Sequence, residues 1–356
     1  MWNNMNNLIR RYKDIRNRKR LGNVYDGEYA FVGIGGHSLD NLYPVLGYLN
    51  VRLKYICCKS PDKIPVIENK YMGVRATADI GDILGDDNIR GVFVSAAPAS
   101  HFGIAVEILR SGKSLFIEKP PCASLEELCR LIDMEKMYGS PVVVAGLQKR
   151  YSPAVSVLRK KLRGCCKATG YSLKYLTGLY PEGDALTDLF IHPLDLVCFL
   201  FGPPSIQGID IIRSKDGGQT FMLILKHPQV TGMLELSTSY TWADGCETIT
   251  VNTEKGVFVL TQMRNLVFKP RYGSVFGVPV EKIVRCSPSA VTLFSENGFV
   301  PTIANNQLYT HGYFNELKTF VDSVEGRRSE NMSGLSSLTD TYRLLGDICR
   351  ADKRGM

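Results

Sequence analysis

The feature that most constrains this chain is an alternation in its first half. Short apolar runs at 29–32, 53–58, 91–95, 114–117 and 141–145 each end at a turn, and stretches with helical spacing separate them. The first such stretch carries Leu39, Leu42, Val45, Leu46 and Leu49 one turn apart, and others lie at 80–86, 101–111 and 125–138. Strands that alternate with helices must run parallel, because each crossover returns the chain to the same end of the sheet. The pattern predicts an α/β doubly wound, Rossmann-like parallel sheet over residues 27–147. The rhythm changes after Arg150. A helix at 154–162 is followed by strand-like stretches at 167–174, 206–213, 220–226, 230–237, 247–253 and 256–260, several with no helix between them. That arrangement predicts an α+β domain over 148–356, built on a large, mostly antiparallel sheet. One helix at 187–201 interrupts it, and helices at 314–324 and 335–350 close the chain.

Charge narrows the choice of partner. The net charge of +8 is concentrated at the front, where Arg10, Arg11, Lys13, Arg16, Arg18, Lys19 and Arg20 face one acid, Asp14. The remainder holds 36 basic and 34 acidic residues, which does not mark a nucleic-acid binder. Residues 1–26 read as a basic helical extension, solvated on its charged face, with a phosphate- or membrane-touching arm as the alternative. The ten cysteines include the adjacent pairs Cys57–Cys58 and Cys165–Cys166 but no C-x-x-C. They fit buried thiols in a reducing compartment, with no zinc spacing. No apolar stretch reaches the roughly 18 residues of a membrane span. A cytoplasmic location with neither nucleic-acid nor membrane partner is expected.

The first strand runs into Phe31-Val-Gly-Ile-Gly-Gly-His-Ser38. Gly33 permits a tight turn, and Gly35 and Gly36 let the backbone approach a pyrophosphate at the helix terminus. Ser38 stands where G-x-G-x-x-G places its third glycine. His37 is an unusual loop residue that either touches a phosphate or is merely exposed. The second strand ends in Cys57-Cys-Lys-Ser-Pro61. Lys59 and Ser60 suit a ribose 2′-phosphate, so NADP is favoured over NAD. Asp62 would serve NAD if the register differs.

Downstream, Ile117-Glu-Lys-Pro120 follows Pro98, Ser100 and His101, and the second part opens with Gly146-Leu-Gln-Lys-Arg-Tyr-Ser-Pro153. Thr187-Asp-Leu-Phe-Ile-His-Pro-Leu-Asp195 precedes Phe201-Gly202, and Phe314-Asn-Glu-Leu-Lys-Thr-Phe320 lies near the end. Together these motifs resemble the Gfo/Idh/MocA (glucose–fructose oxidoreductase/inositol dehydrogenase) family over about residues 28–350. The resemblance implies an NAD(P)-dependent oxidoreductase acting on a sugar, cyclitol or sugar derivative. It implies that Lys119 sits beside the nicotinamide with Asp188 and His192. It also implies that Glu118 meets the ribose or positions Lys119, that Pro98 and His101 line the cofactor, and that Gln148 and Arg150 lie at the domain junction, where they bind the cofactor near nicotinamide and substrate.

The residues support that chemistry independently. Positions 188 and 192 share a face of one helix. Alcohol oxidation needs a proton acceptor tuned near neutrality, which His192 supplies, and a cation such as Lys119 beside the developing alkoxide. Asp188 would orient the imidazole or hold a substrate hydroxyl, whereas Asp195 reads as structural. Tyr180, Trp242 and His311 are candidates for the substrate wall. The open sheet face predicts a homodimer or homotetramer. Two rival readings stand beside this one: a catalytically silent sensor of the same fold, and a reductase of a non-sugar substrate.

Overall fold

The computed structural model describes residues 2–21, 25–139, 141–164, 166–284, 289–296 and 306–354. A six-stranded parallel sheet comprises β1 (Glu28–Val32), β2 (Arg52–Cys57), β3 (Arg75–Thr77), β4 (Ile89–Val94), β5 (Ser114–Glu118) and β6 (Val143–Gly146), in the order β3-β2-β1-β4-β5-β6. The order reverses between β1 and β4, which opens a crevice beyond the carboxyl ends of the strands. Both faces are covered, and the side chains alternate accordingly. Ala30, Val32, Val92 and Val94 face the helices Pro98–Arg110 and Leu125–Met137. Tyr29, Phe31, Phe93 and Phe116 face the helix Tyr43–Leu49.

The same second face also receives a distant segment. Leu317, Phe320 and Val321 of the helix Tyr313–Val324 complete its core. The Phe320 ring lies edge-on to Phe93 with centroids 5.0 Å apart. It sits against Gly91, where a Cβ would come within 2.9 Å of the ring. Further on, Leu335, Leu338 and Tyr342 join the core of the opposite face. The end of the chain therefore returns to the first sheet.

The second sheet has eight strands: β7 (Ala168–Leu176), β8 (Ser205–Arg213), β9 (Gln219–Lys226), β10 (Thr231–Ser237), β11 (Cys246–Thr253), β12 (Gly256–Thr261), β13 (Asn265–Pro270) and, after the hairpin β14 (Ser274–Val275) and β15 (Val278–Pro279), β16 (Val291–Ser295). Their order is β16-β13-β12-β11-β7-β10-β9-β8, antiparallel except where β7 pairs with β10. One face packs on the helices Pro153–Gly164, Ile191–Phe201 and Thr339–Arg354.

The sequence reading missed β3, the helix Ile64–Lys70, β13 and β16. The first of these shows only three residues to a pattern search. The expected helix over 187–201 is broken into Ala185–Asp188 and Ile191–Phe201. Pro193 is the reason. It has no N–H to give the carbonyl of residue 189, so it is tolerated only in the first turn of a new helix. Of the eight described cysteines, five are buried. Cys165 and Cys286 lie outside the described residues.

Candidate active site

Two clefts meet at the carboxyl end of the first sheet. The larger, of about 670 Å³, is lined by the glycine loop, the end of β2 and the loop after β4. Gly33 makes it possible. Its φ is +111°, and a Cβ there would stand 2.0 Å from the Ser95 carbonyl oxygen, so only glycine fits. At Gly35 and Gly36 a Cβ would meet nothing within 4 Å, which leaves open space along the loop backbone. Ser38 is buried and binds back on the loop: its Oγ accepts from the Gly35 N–H and donates to the Gly35 carbonyl, both at 2.9 Å. Lys59 and Ser60 line the far end, joined by Lys63, which the sequence reading passed over. Asp62 is exposed and does not line the cleft. The volume suits a small-molecule cofactor, and the glycine loop, an open backbone and two lysines match an anionic dinucleotide.

The smaller cleft, of about 310 Å³, lies between the two sheets. Lys119 enters it from the end of β5, across a cis peptide to Pro120. Its Nζ donates to the Asp188 backbone carbonyl at 2.5 Å. Burial lowers the Lys119 pKa, and the charges of Glu118 and Asp188 offset this only in part. His192 borders the same cleft, 8% exposed, and its Nδ1 has no hydrogen-bond partner. Burial, then the positive charges of Lys119 and Lys149, push its pKa well below the ordinary value, so the ring is neutral at pH 7. Asp188 lines the cleft as well. Lys119, Asp188 and His192 thus line one cleft, and Asp188 and His192 reach it from two helices rather than from one face.

His37 is the residue common to the linings of both clefts. Its Nε2 lies 3.3 Å from Oε1 of Glu118, which is buried at the end of β5. Burial alone would lower the imidazole pKa, but the hydrogen bond and charge of Glu118 outweigh it and raise the value. The Lys119 backbone N–H donates to the other Glu118 oxygen at 3.2 Å. Glu118 thus joins the phosphate loop to the lysine turn.

Several expected site residues lie elsewhere. Arg150 is 2% exposed, and its Nε and Nη2 meet the two oxygens of Asp195 at 2.8 and 2.5 Å. Its Nη1 donates to the Met332 carbonyl and to Ser337 Oγ. Every guanidinium nitrogen is used, so Arg150 ties the second domain to the returning segment instead of reaching a cofactor. His101 is also turned away. Its Nε2 accepts from the Ala96 N–H at 3.3 Å and its Nδ1–H donates to the Pro120 carbonyl at 2.8 Å, which fixes the lysine turn from behind. Pro98 opens the helix Pro98–Arg110, while Ala97 and Ser100 line the cleft. Trp242 is 68% exposed, and neither it nor Tyr180, which lies near Asp188, lines either cleft.

Gln148 does line the smaller cleft, held by Tyr313 Oη at 3.2 Å. His311 lines it too, with its pKa lowered to about 4 by burial. The second sheet adds residues that no motif marked. Glu247 on β11 stands opposite Tyr175 on β7. Lys149 forms a buried ion pair with Glu247 and lies 4.5 Å from the Tyr175 ring centre. The one available signal was local: Lys149 lies beside Gln148 and Arg150 in an already marked motif, yet only the fold shows that it points the other way from Arg150.

Residues 28–145 match the model of the GFO_IDH_MocA group, described as an oxidoreductase family with an NAD-binding Rossmann fold. An inositol 2-dehydrogenase from Acidothermus cellulolyticus is 27% identical over 149 residues, covering 40% of this chain and 43% of that protein. An inositol 2-dehydrogenase/D-chiro-inositol 3-dehydrogenase from Lactiplantibacillus plantarum is 28% identical over 37% of this chain and 39% of its own length. These matches span less than half of either relative. In structure, a dehydrogenase from Chromobacterium violaceum superposes with a TM-score of 0.77 at 19% identity, covering 92% of this chain and 96% of that one. A UDP-N-acetylglucosamine 3-dehydrogenase from Acidithiobacillus ferrooxidans gives 0.70 at 17% identity, over 90% and 95%. The structural likenesses establish the fold.

Proposed function

We propose, from the match of residues 28–145 to the Gfo/Idh/MocA oxidoreductase family model and the partial likeness to inositol 2-dehydrogenases, that this chain is a dehydrogenase or reductase acting on a ring hydroxyl of a small polyhydroxylated substrate. The observation that carries the proposal is the meeting of Lys119 and His192 on one cleft, joined through His37 to the dinucleotide cleft. The names of the relatives support the substrate class, since inositols and an amino sugar nucleotide both offer ring hydroxyls. A bound nicotinamide dinucleotide would accept or supply the hydride. Gly33, Gly35 and Gly36 would take its phosphates, and Lys59, Ser60 and Lys63 would take a 2′-phosphate, so NADP is the proposed form.

The chain's own residues handle the proton. Neutral His192 can accept it from the reacting hydroxyl, but burial and the neighbouring lysines make it a weaker base than the near-neutral acceptor expected from the sequence. The Lys119 ammonium stabilises the oxygen as it becomes an alkoxide, in a site where burial strengthens that interaction. Lys149, paired with Glu247, and His311 stand on the sheet side, where further hydroxyls of a polyol would be bound. The outer face of the second sheet, where Ile224 opposes Met233 and both are exposed, is the surface proposed for a second copy. Ile224→Lys should then reduce the mass measured by light scattering.

The test is turnover of NADP⁺ or NAD⁺ against a panel of cyclitols, sugars and sugar nucleotides, for the parent and for Lys119→Met. Loss of a group acting on the reacting oxygen should lower kcat by about 10² or more, while NADPH still quenches the protein fluorescence with unchanged affinity. A parent that binds NADPH but turns over nothing, or a variant as fast as its parent, would refute the assignment.

A further inference from the structure

Among the described residues, the helix Trp2–Leu21 places no side chain in the three hydrophobic cores. All three hydrophobic cores begin at Tyr25 or later. Yet its sequence is that of a helix with something to bury. Met5, Leu8, Ile9, Tyr12 and Ile15 recur three or four positions apart along one side. They are 54%, 67%, 47%, 64% and 60% exposed. Asn6, Asn7, Arg10, Arg11 and Asp14 fall on the opposite side. The first 20 residues hold seven basic residues against one acidic residue. Among the described residues no helix is long and apolar enough to cross a membrane.

We propose that this helix lies flat on an anionic lipid surface, its apolar stripe in the boundary between headgroups and acyl chains and Arg10 and Arg11 among the headgroups. An unburied apolar stripe on a cationic helix of low overall hydrophobicity is the pattern of interfacial helices. Three occupants compete for it, and charge and apolarity together decide. Nucleic acid matches the charge but leaves Leu8 and Ile9 without a use. A second copy of this chain would cover the stripe but would bring another seven cations against the first seven. An anionic bilayer meets both demands. This departs from the sequence expectation of a solvated helix with no membrane partner. It would hold the catalytic body, whose first strand starts at Glu28, close to a membrane.

The experiment is flotation of the full chain with phosphatidylcholine vesicles and with the same vesicles carrying phosphatidylglycerol. The parent should float only with the anionic vesicles, and less as salt rises. Each basic residue near the surface contributes about fivefold in partitioning. Arg10→Glu/Arg11→Glu should therefore weaken binding by well over about tenfold, and Leu8→Asp/Ile15→Asp should abolish it. Both variants should keep parental NADPH affinity and parental melting, because the four substituted side chains are exposed and belong to none of the cores. The proposal is overturned if the parent stays unbound with anionic vesicles, or if the Leu8→Asp/Ile15→Asp variant floats as the parent does. It is equally overturned if duplex nucleic acid binds both parent and stripe variant while vesicles bind neither, or if the stripe variant proves to be a smaller oligomer and vesicles make no difference.

Discussion

The pair Arg150–Asp195 gives the sharpest test of how this site is built, because sequence and structure assign Arg150 different work. In the structure both side chains are 2% exposed. The carboxylate takes two guanidinium nitrogens and also accepts from Thr341 Oγ1 at 2.9 Å. Asp195→Ala would leave a buried cation with only neutral oxygens around it. Removing one member of such a pair costs about 3–5 kcal/mol. The carbonyls of Met332 and Ser337 remain to Arg150, which places the loss toward the lower figure. At about 2–4 °C per kcal/mol for domains of this size, the variant should melt roughly 6–12 °C below its parent by circular dichroism. The affinity for NADPH, measured well below that melt, should hardly change. Arg150→Met/Asp195→Leu, which removes both charges, should recover most of the difference. A variant melting within about 2 °C of the parent would refute this account. So would one that melts normally but no longer binds NADPH, since Arg150 would then be serving the cofactor.

Three further outcomes follow from particular contacts. Glu316 is 0% exposed, and burial, aided by the nearby charge of Glu118, raises its pKa well above the usual value. The folded chain then holds a proton that the unfolded chain releases above its ordinary carboxylate pKa, so stability must fall as pH rises, by up to about 1.4 kcal/mol per pH unit. Glu316→Gln should remove that fall and be the more stable form at pH 8 in urea titrations; parallel stability–pH curves would contradict it. Gly33→Ala should lose NADPH binding by calorimetry, because its Cβ meets the Ser95 carbonyl at 2.0 Å in a left-handed turn; unaltered affinity would mean the loop can shift. Lys59→Ala/Lys63→Ala should weaken NADPH by about tenfold or more, given charge-assisted contacts of about 1.5–3 kcal/mol each, and leave NADH nearly untouched; equal losses would dismiss the 2′-phosphate assignment.

The alternation of short strands and helices, the glycine turn and the lysine at the end of β5 were legible in the amino-acid order because each rests on short-range constraints. Strand and helix periods, a φ open only to glycine and the fixed position of a strand end are settled within a few residues of chain. The break before Pro193 was equally local and could have been read from the missing N–H. Other parts of the site had no local signature. Lys149 and Arg150 are neighbours of like charge, and the helical turn Gln148–Tyr151 sends one to Glu247 on the second sheet and the other to Asp195 on a helix. His37, Glu118 and Tyr313 come from three distant segments and meet because the last helices return to the first sheet. The sequence by itself determined that there would be a glycine loop, a lysine turn and a histidine helix. Which polar side chains share a cleft, and which are consumed holding the domains together, only the tertiary structure decided, because the desolvation and pairing that settle it act between residues far apart along the chain.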